Sequence, residues 1–148
     1  MPILKEIQGD LFKPFQKKNY DIMVHGCNCF HSFGAGFAAV VKRKYYLAYK
    51  ADLQTSKGSP EKLGSYSSYK SSDGLIINLY SQFHYAFGKV NADIEAIKKG
   101  FELINKEYPN TKLCIPRIGD GLAKGNWDVI SKTINEVTPD LDITVYVL

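Results

Sequence analysis

The sequence predicts an α/β protein, a three-layer α/β/α sandwich with a mixed, mostly parallel central sheet. Short apolar or β-branched segments alternate along the chain with segments whose apolar residues recur at helical spacing. Strands that alternate with helices usually form a parallel sheet that is covered on both faces. Glycine-containing loops follow three of the predicted strands, which is typical of open α/β sheets that bind ligands at the strand ends.

Six segments have the character of strands. The run Ile22-Met23-Val24 and the run from Leu75 to Ile77, which continues to Leu79, are short and apolar, and the second indicates a central strand. Ser72-Asp73-Gly74 predicts a hairpin turn before that strand, because glycine tolerates positive φ. The six predicted strands cover residues 3–8, 21–25, 65–70, 75–80, 113–116 and 143–147.

Helical spacing appears in three places. One helix begins near Gly36, carries apolar residues to Ala48 and ends in the polar loop of residues 50–62. A second has Asn91 as a possible cap, Asp93 at its positive end and Pro109 after it. A third is capped by Asn126. The apolar stripes that define these helices are Phe37, Val40, Val41, Tyr45 and Ala48; Ile94, Ile97, Phe101 and Ile104; and Trp127, Ile130, Ile134 and Val137.

The bulk properties predict one domain over residues 1–148, with no internal repeat and no linker. No apolar run is long enough to span a membrane, and the first residues lack a signal core. Three cysteines indicate a reduced, cytoplasmic protein, which we expect to be a monomer. The net charge of +4 comes from scattered lysines, which suits a small anionic ligand and makes nucleic acid an unlikely partner.

Two glycine loops predict phosphate binding. Gly34-Ala35-Gly36 directly precedes a helix, where backbone N–H groups and the helix dipole favour an anion. The segment from Gly119 to Gly125 has the same construction, so the two together suit a diphosphate. The sequence contains neither the P-loop motif nor the dinucleotide G-x-G-x-x-G motif after its first strand.

These residues resemble the macro domain family of ADP-ribose-binding modules over nearly the whole chain. The resemblance is carried by Gly9-Asp10, by Asn28 in GCNC, by the GAGFA run from Gly34 and by PRIGDGL from Pro116, with Trp127 and the final ITVYVL. It is strongest to the small single-domain members, which include ADP-ribose 1''-phosphate phosphatases and hydrolases of terminal ADP-ribose.

The resemblance implies a set of ligand-binding residues. Asp10 would accept the adenine amine, Asn28 would reach the distal ribose, and two backbone segments would surround the diphosphate. Phe83 or Phe87 would stack on the adenine or the distal sugar. Alternatively, Asp10 caps a turn, Asn28 bonds loop backbone, and both phenylalanines belong to the core. The full set is Asp10, Leu11, Asn28, Gly34, Ala35, Gly36, Phe37, Phe83, Ile118, Gly119, Gly121 and Leu122.

His25 and Asp120 form the predicted catalytic pair, as acid and base in undetermined order. Alternatively, His25 bonds backbone and Asp120 faces solvent. The family members that remove ADP-ribose from proteins use a lysine and an aspartate, and Gln82 and Ala123 stand at those positions here. The predicted function is therefore ADP-ribose binding with hydrolysis of the 1''-phosphate. The alternatives are a reader of ADP-ribosylated protein and a hydrolase that acts on it.

The sequence predicts no metal site and no cofactor. His25, Cys27, Cys29 and His31 alternate along the chain, a spacing from which four ligands do not easily close a tetrahedron around zinc. We expect Cys27 and Cys29 to be small buried residues instead.

Overall fold

The computed structural model describes residues 4–84, 92–119 and 126–148. The strands are β1 (Lys5–Gln8), β2 (Ile22–Cys27), β3 (Tyr66–Ser71), β4 (Gly74–Tyr80), β5 (Thr111–Ile115) and β6 (Leu141–Val147). The helices are α1 (Phe12–Gln16), α2 (Gly36–Lys44), α3 (Tyr46–Leu53), α4 (Ile94–Glu107) and α5 (Trp127–Val137), and Pro60–Lys62 forms a 3-10 turn.

The strands form one sheet in the order β1-β6-β5-β2-β4-β3. Every neighbouring pair is parallel except β3 and β4, which are joined by the predicted hairpin. The prediction of a mixed, mostly parallel sheet is confirmed. The strand predicted as central, β4, is interior but lies next to the edge strand β3, and β5 and β2 occupy the middle of the sheet.

Two apolar clusters cover the two faces of the sheet, as the alternation of side chains along a strand requires. On one face, α4 and α5 pack with Phe101 and Ile130 against Val24 of β2. On the other face, α1 and α2 pack with Phe15 and Val41 against Met23 of β2, and α3 lies over β3 and β4. The three layers that the sequence predicts are therefore present.

The apolar stripe that begins at Phe37 belongs to two helices and not to one. Tyr45 leaves the helical conformation, with φ −135° and ψ 67°, so α2 ends at Lys44 and α3 begins at Tyr46. The Tyr45 ring packs edge-on against Phe15, and its hydroxyl donates to Asp73 Oδ2 at 2.8 Å. These contacts with α1 and the hairpin turn hold the break in place.

The predicted caps have different outcomes. Asn126 caps α5 as predicted, because its Oδ1 accepts the N–H groups of Asp128 and Val129. The predicted cap of α4, Asn91, lies outside the described residues. Asp93, which the sequence predicts only as a favourable charge at this helix start, is the residue that caps α4, by accepting the Ala96 N–H. In the described part of the chain, no helix has the length and apolar character needed to cross a membrane.

Candidate functional site

A cleft of about 1230 Å³ lies at the sheet edge where the parallel strands end. It is lined by residues that directly follow β1, β2, β4 and β5, together with the end of β6. Pairing between β2 and β5 is confined to Ile22 with Leu113 and Met23 with Cys114, so the two strands are no longer paired where they reach the cleft. Parallel sheets bind ligands at such a divergence of carboxyl ends.

Asp10 lies in the wall of the cleft and also stabilises the turn that precedes α1. Gly9, with φ +153°, turns the chain after β1 and donates its N–H to Val147 O at 2.8 Å. Asp10 Oδ1 then accepts the Phe12 N–H at 2.9 Å. The alternative role of Asp10 as a turn cap is therefore present in the structure, and its position in the cleft wall is compatible with the predicted ligand contact as well.

The loop before α2 brings a helix start to the cleft that no side chain of the described residues caps. Ala35 occupies the N-cap position of α2 and provides no capping side chain. Gly36 has φ +62°, a conformation that glycine adopts without strain. All four predicted residues, from Gly34 to Phe37, line the cleft. An uncapped helix start that faces a cleft is a suitable site for an anion.

The segment after β5 forms the opposite wall, with Ile118 and Gly119 in the lining. Gly119 has φ +81°, and a Cβ there would lie 3.0 Å from Ile130 Cδ1 and 3.1 Å from Ala92 Cβ. Only glycine fits this turn without strain. The other residues predicted in this loop, Asp120, Gly121 and Leu122, lie outside the described residues.

Gly26 in β2 is a lining residue that the sequence analysis did not select. A Cβ at this position would lie 2.5 Å from Ser81 Oγ and 3.0 Å from Ile118 Cγ2. The strand end therefore approaches its neighbours as closely as its backbone allows. A glycine inside a predicted strand is the signal that could have identified it, because such residues often mark close backbone approach.

Asn28 lines the cleft, but its side-chain amide also organises its own loop. Its Oδ1 accepts the Phe30 N–H at 2.9 Å and the Ser32 N–H at 3.3 Å, and its Nδ2 donates to Ser32 O at 2.9 Å. The alternative of loop support is therefore observed. One amide hydrogen remains for a ligand.

The position of His25 argues against the predicted acid–base role. Its side chain is fully buried on the α2 face of the sheet, between the rings of Phe33 and Phe37, and does not line the cleft. Its Nε2 donates to Asn78 Oδ1 at 2.7 Å, because the amide oxygen is an acceptor only. Burial lowers the pKa of His25 to about 4, against the smaller opposite effect of this hydrogen bond. In the described residues the ring therefore has no direct contact with the cleft through which it could transfer a proton.

Phe83 is also placed away from the cleft. Its ring is partly buried in the α2-side cluster and packs edge-on against Phe30, with the ring centroids 4.9 Å apart. Among the described residues, the aromatic side chains that line the cleft are Phe12, Phe37 and Tyr146, and the first two are stacked with their ring centroids 5.0 Å apart. Phe87 lies outside the described residues.

Glu6 connects the two sides of the loop between β5 and α5. Its Oε1 accepts from Arg117 Nη2 at 2.8 Å, and its Oε2 accepts from Trp127 Nε1 at 2.7 Å. Arg117, which lines the cleft, precedes Asp120, and Trp127 follows it. The hydrogen bonds from Arg117 and then Trp127 lower the pKa of Glu6. The sequence suggested no role for Glu6 because its partners lie more than a hundred residues away.

The three cysteines are buried and unpaired, so the expectation for Cys27 and Cys29 is confirmed. Burial is the main cause that raises the pKa of each thiol. Cys29 Sγ donates to Gln82 O, while His31 Nε2 lies 3.0 Å from Thr55 O, so these side chains have separate partners. The described residues contain no group of three or more histidine, cysteine or acidic side chains arranged to hold a metal.

The chain is similar over its whole length to two proteins of known sequence. It is 36% identical to an uncharacterized 17.5 kDa protein of Enterobacteria phage T4, with 97% of this chain and 95% of that protein covered. It is 30% identical to the ADP-ribose glycohydrolase OARD1 of Bos taurus, with 96% and 90% covered. No family model matches the chain.

A shorter similarity connects the chain to a different enzyme. It is 43% identical to an ADP-ribose 1''-phosphate phosphatase of Aspergillus oryzae over 63 residues, which cover 40% of this chain and 30% of that protein. The match therefore spans less than a third of the fungal phosphatase.

Solved structures share the fold. The macrodomain of Mycobacterium tuberculosis DarG superposes with a TM-score of 0.73 at 20% identity, covering 99% of this chain and 98% of that one. Thermosipho africanus DarTG in complex with ADP-ribose superposes with a TM-score of 0.74 at 18% identity, covering 96% of this chain and 41% of that one.

Proposed function

The chain belongs to the macro domain family, and from this membership we propose that it binds ADP-ribose in the cleft and acts as a hydrolase on an ADP-ribose derivative. ADP-ribose 1''-phosphate is the substrate that we propose first. The observation that carries the proposal is the pair of backbone segments, before α2 and after β5, that line the same cleft. Relatives named as an ADP-ribose glycohydrolase and a 1''-phosphate phosphatase support it.

The diphosphate of the ligand would lie between these two segments. The first turn of α2 offers N–H groups without a capping side chain, and the helix dipole adds positive potential there. Gly36 and Gly119 keep their turns open to close approach of the phosphates because both have positive φ. In this proposal backbone donors hold the diphosphate, while Arg117, which precedes Ile118 in the cleft lining, bonds Glu6.

The adenine would lie at the Asp10 end of the cleft. Asp10 Oδ1 accepts the Phe12 N–H, and the second carboxylate oxygen of Asp10 would accept the exocyclic amine of the base. Stacking would come from the lining aromatics Phe12, Phe37 or Tyr146 and not from Phe83, which packs on Phe30. The distal ribose would then lie near Asn28.

Hydrolysis of the 1''-phosphate would add water to phosphorus and break the bond between phosphorus and the ribose oxygen. The products are inorganic phosphate and ADP-ribose. We propose Asp120 as the group that orients and deprotonates the water. His25 is not part of this proposal, since it is buried away from the cleft. The protein's role is otherwise positioning and stabilisation of charge by backbone donors.

A second function has its own support, namely removal of ADP-ribose from modified protein. The similarity to the bovine glycohydrolase covers the whole chain, whereas the similarity to the phosphatase is local. Two residues count against this second function. At the position where the related hydrolases use a lysine, this chain has Gln82, which lines the cleft and whose amide can neither form the covalent adduct of a lysine nor act as a base. The sequence also places Ala123 where that chemistry uses an aspartate. A reader without activity is the third possibility.

Parallel incubation with ADP-ribose 1''-phosphate, ADP-ribosylated protein and free ADP-ribose distinguishes these three functions. We expect the protein to release phosphate from ADP-ribose 1''-phosphate and to bind ADP-ribose in calorimetry. Asp120→Asn should lower phosphate release by 100-fold or more, about the contribution of one general base, while ADP-ribose still binds. Asp128→Asn, in the exposed first turn of α5, is the matched control and should keep the wild-type rate.

The other outcomes are equally clear. Release of ADP-ribose from modified protein without phosphate release would establish the glycohydrolase function instead. Binding without release of either product would leave a reader. Absence of heat with ADP-ribose would remove the proposed function altogether.

A further inference from the structure

The last turn of α2 brings two positive charges into the cleft. Arg43 and Lys44 both line it, on the same helix face as Gly36, Phe37 and Val40. Both side chains are exposed. Within residues 4–84, 92–119 and 126–148, Arg43 forms no hydrogen bond or ion pair. These cations belong to the cleft, but the proposed contacts with ADP-ribose do not use them.

Stabilisation of the helix dipole does not account for this arrangement. Basic residues near a helix C-terminus interact favourably with the dipole, and α2 has three in its last turn. The first, Lys42, is turned away from the cleft, with its Nζ 4.3 Å from the centroid of the Tyr49 ring. The dipole favours positive charge at all three positions, but it gives no reason for two of them to line a ligand cleft.

These cations lie at the Asp10 end of the cleft, where the proposed function puts the adenosine. Lys44 Nζ is 5.7 Å from the centroid of the Phe12 ring, and Phe12 donates its N–H to Asp10. Arg43 lies seven residues after Gly36, which corresponds to about 10 Å along the helix from its anion-binding start. Asp10 is the one acidic side chain among the described lining residues, and its Oδ1 is already occupied by the Phe12 N–H.

We propose that the cleft has a second phosphate site, formed by Arg43 and Lys44, which selects ADP-ribose derivatives that carry an additional phosphate on the adenosine ribose. A guanidinium binds phosphate oxygens in a bidentate manner, and an adjacent ammonium adds a point charge. The inference depends on the proposed function, because the position of the adenosine follows from ADP-ribose binding. It extends that function by assigning a ligand class to a part of the cleft that ADP-ribose leaves unused.

Calorimetry with three ligands tests the site: ADP-ribose, its adenosine 2'-phosphate derivative, and ADP-ribose 1''-phosphate. We expect wild-type protein to bind the 2'-phosphate derivative about ten-fold more tightly than ADP-ribose at low salt, which corresponds to two exposed charge-assisted contacts. This preference should decrease as salt is raised. In the double variant Arg43→Gln/Lys44→Gln, the ratio of the two affinities should fall to about one.

Two comparisons make the result specific. Lys42→Gln removes a charge from the same helix turn and should keep the ten-fold ratio. The affinity ratio between ADP-ribose 1''-phosphate and ADP-ribose is measured in an Asp120→Asn background, in which we expect turnover to be at least 100-fold slower. This ratio should be the same with and without the Arg43→Gln/Lys44→Gln change, because that phosphate lies at the other end of the ligand. Equal affinity of wild type for ADP-ribose and the 2'-phosphate derivative would overturn the second site and leave the proposed function intact. Binding of none of the three ligands would overturn both.

Discussion

Gly26 is a cleft-lining residue with no space for a side chain. A Cβ there would overlap Ser81 Oγ, at 2.5 Å, and press on Ile118 Cγ2, at 3.0 Å. Ser81 Oγ is buried and has no hydrogen-bond partner among the described residues. The close approach of β2 to its neighbours therefore depends on the absence of a side chain at position 26.

Gly26→Ala should lower the free energy of unfolding by about 1–3 kcal/mol, the usual effect of overpacking. In a Ser81→Ala background the same change should cost clearly less, because the closest atom is gone. Gly34→Ala is the control, since its added Cβ would meet nothing within 4 Å and its φ is not positive. Denaturant titration of the four variants measures these differences, and equal costs of Gly26→Ala in both backgrounds would contradict the steric explanation.

His25 should make stability depend on pH in the weakly acidic range. The pKa of His25 is about 6.5 in the unfolded chain, whereas burial lowers the pKa of His25 to about 4 in the folded protein. Folding therefore excludes a proton between these values, and stability is lost as the pH falls. The contribution is about 2 kcal/mol between pH 7 and pH 5.

His25→Gln keeps an N–H donor for Asn78 and removes the titration. We expect this variant to lose about 2 kcal/mol less than wild type between pH 7 and pH 5, whatever its stability at pH 7. Denaturant titration at both pH values measures this difference, with pH 8 as a reference at which neither state binds the proton. Parallel pH profiles of the two proteins would show that the His25 pKa is not lowered.

Residue by residue, the sequence predicts backbone sites better than side-chain roles. Asp10 and the segment from Gly34 to Phe37 line the cleft as predicted, since glycine and helix starts express a local requirement. His25 and Phe83 do not line the cleft. The His25 side chain lies on the face of the sheet that α2 covers, and the Phe83 ring packs against Phe30. Such outcomes depend on packing between distant segments, which local sequence does not encode.

At the scale of elements, Glu6 of β1 links Arg117, which follows β5, to Trp127, which begins α5. It accepts from Arg117 on one side of the loop between β5 and α5 and from Trp127 on the other. The side chains of this ion pair are about one-third exposed, so their contribution to global stability is small. Their effect should instead be seen in the position of the loop, and therefore in ligand affinity.

Glu6→Gln should weaken ADP-ribose binding by about two- to five-fold, the equivalent of one exposed ion pair, with little change in the free energy of unfolding. Glu136→Gln, an exposed change of the same charge on α5, is the matched control. Calorimetry at low salt measures both variants. Equal affinities of the two would show that the Glu6 contacts do not position the loop.

The elements themselves follow from the sequence except where packing is needed to define them. Amphipathic periodicity and caps identify α4 and α5, and hydrophobic runs identify β2 and β4. The five-residue α1 was not predicted, because it contains Pro14 and has too few turns to show a period. The N–H of its first residue, Phe12, donates to Asp10 Oδ1 in the preceding turn, and the break between α2 and α3 depends on the hydrogen bond from Tyr45 to Asp73.

For the whole molecule, the alternation of strands and helices predicts the layers but not the strand order. β1 is the first strand in the sequence, yet its only neighbour in the sheet is the last strand, β6, which lies between β1 and β5. Nothing local in residues 5–8 specifies a partner that lies more than 130 positions away. The cleft likewise combines loops after β1, β2, β4 and β5, which become neighbours only through this order.

The pairing of β1 with β6 also determines when, during folding, the wall of the cleft that contains Asp10 can form. Lys5 is opposite Thr144, and Gly9 bonds to Val147, so these contacts close a loop of nearly the whole described chain. Contacts of such large sequence separation carry a high loop-closure entropy and slow the folding rate. During synthesis on a ribosome, β1 cannot pair until β6 has been made, so the Asp10 side of the cleft forms only after the other strands of the cleft are present.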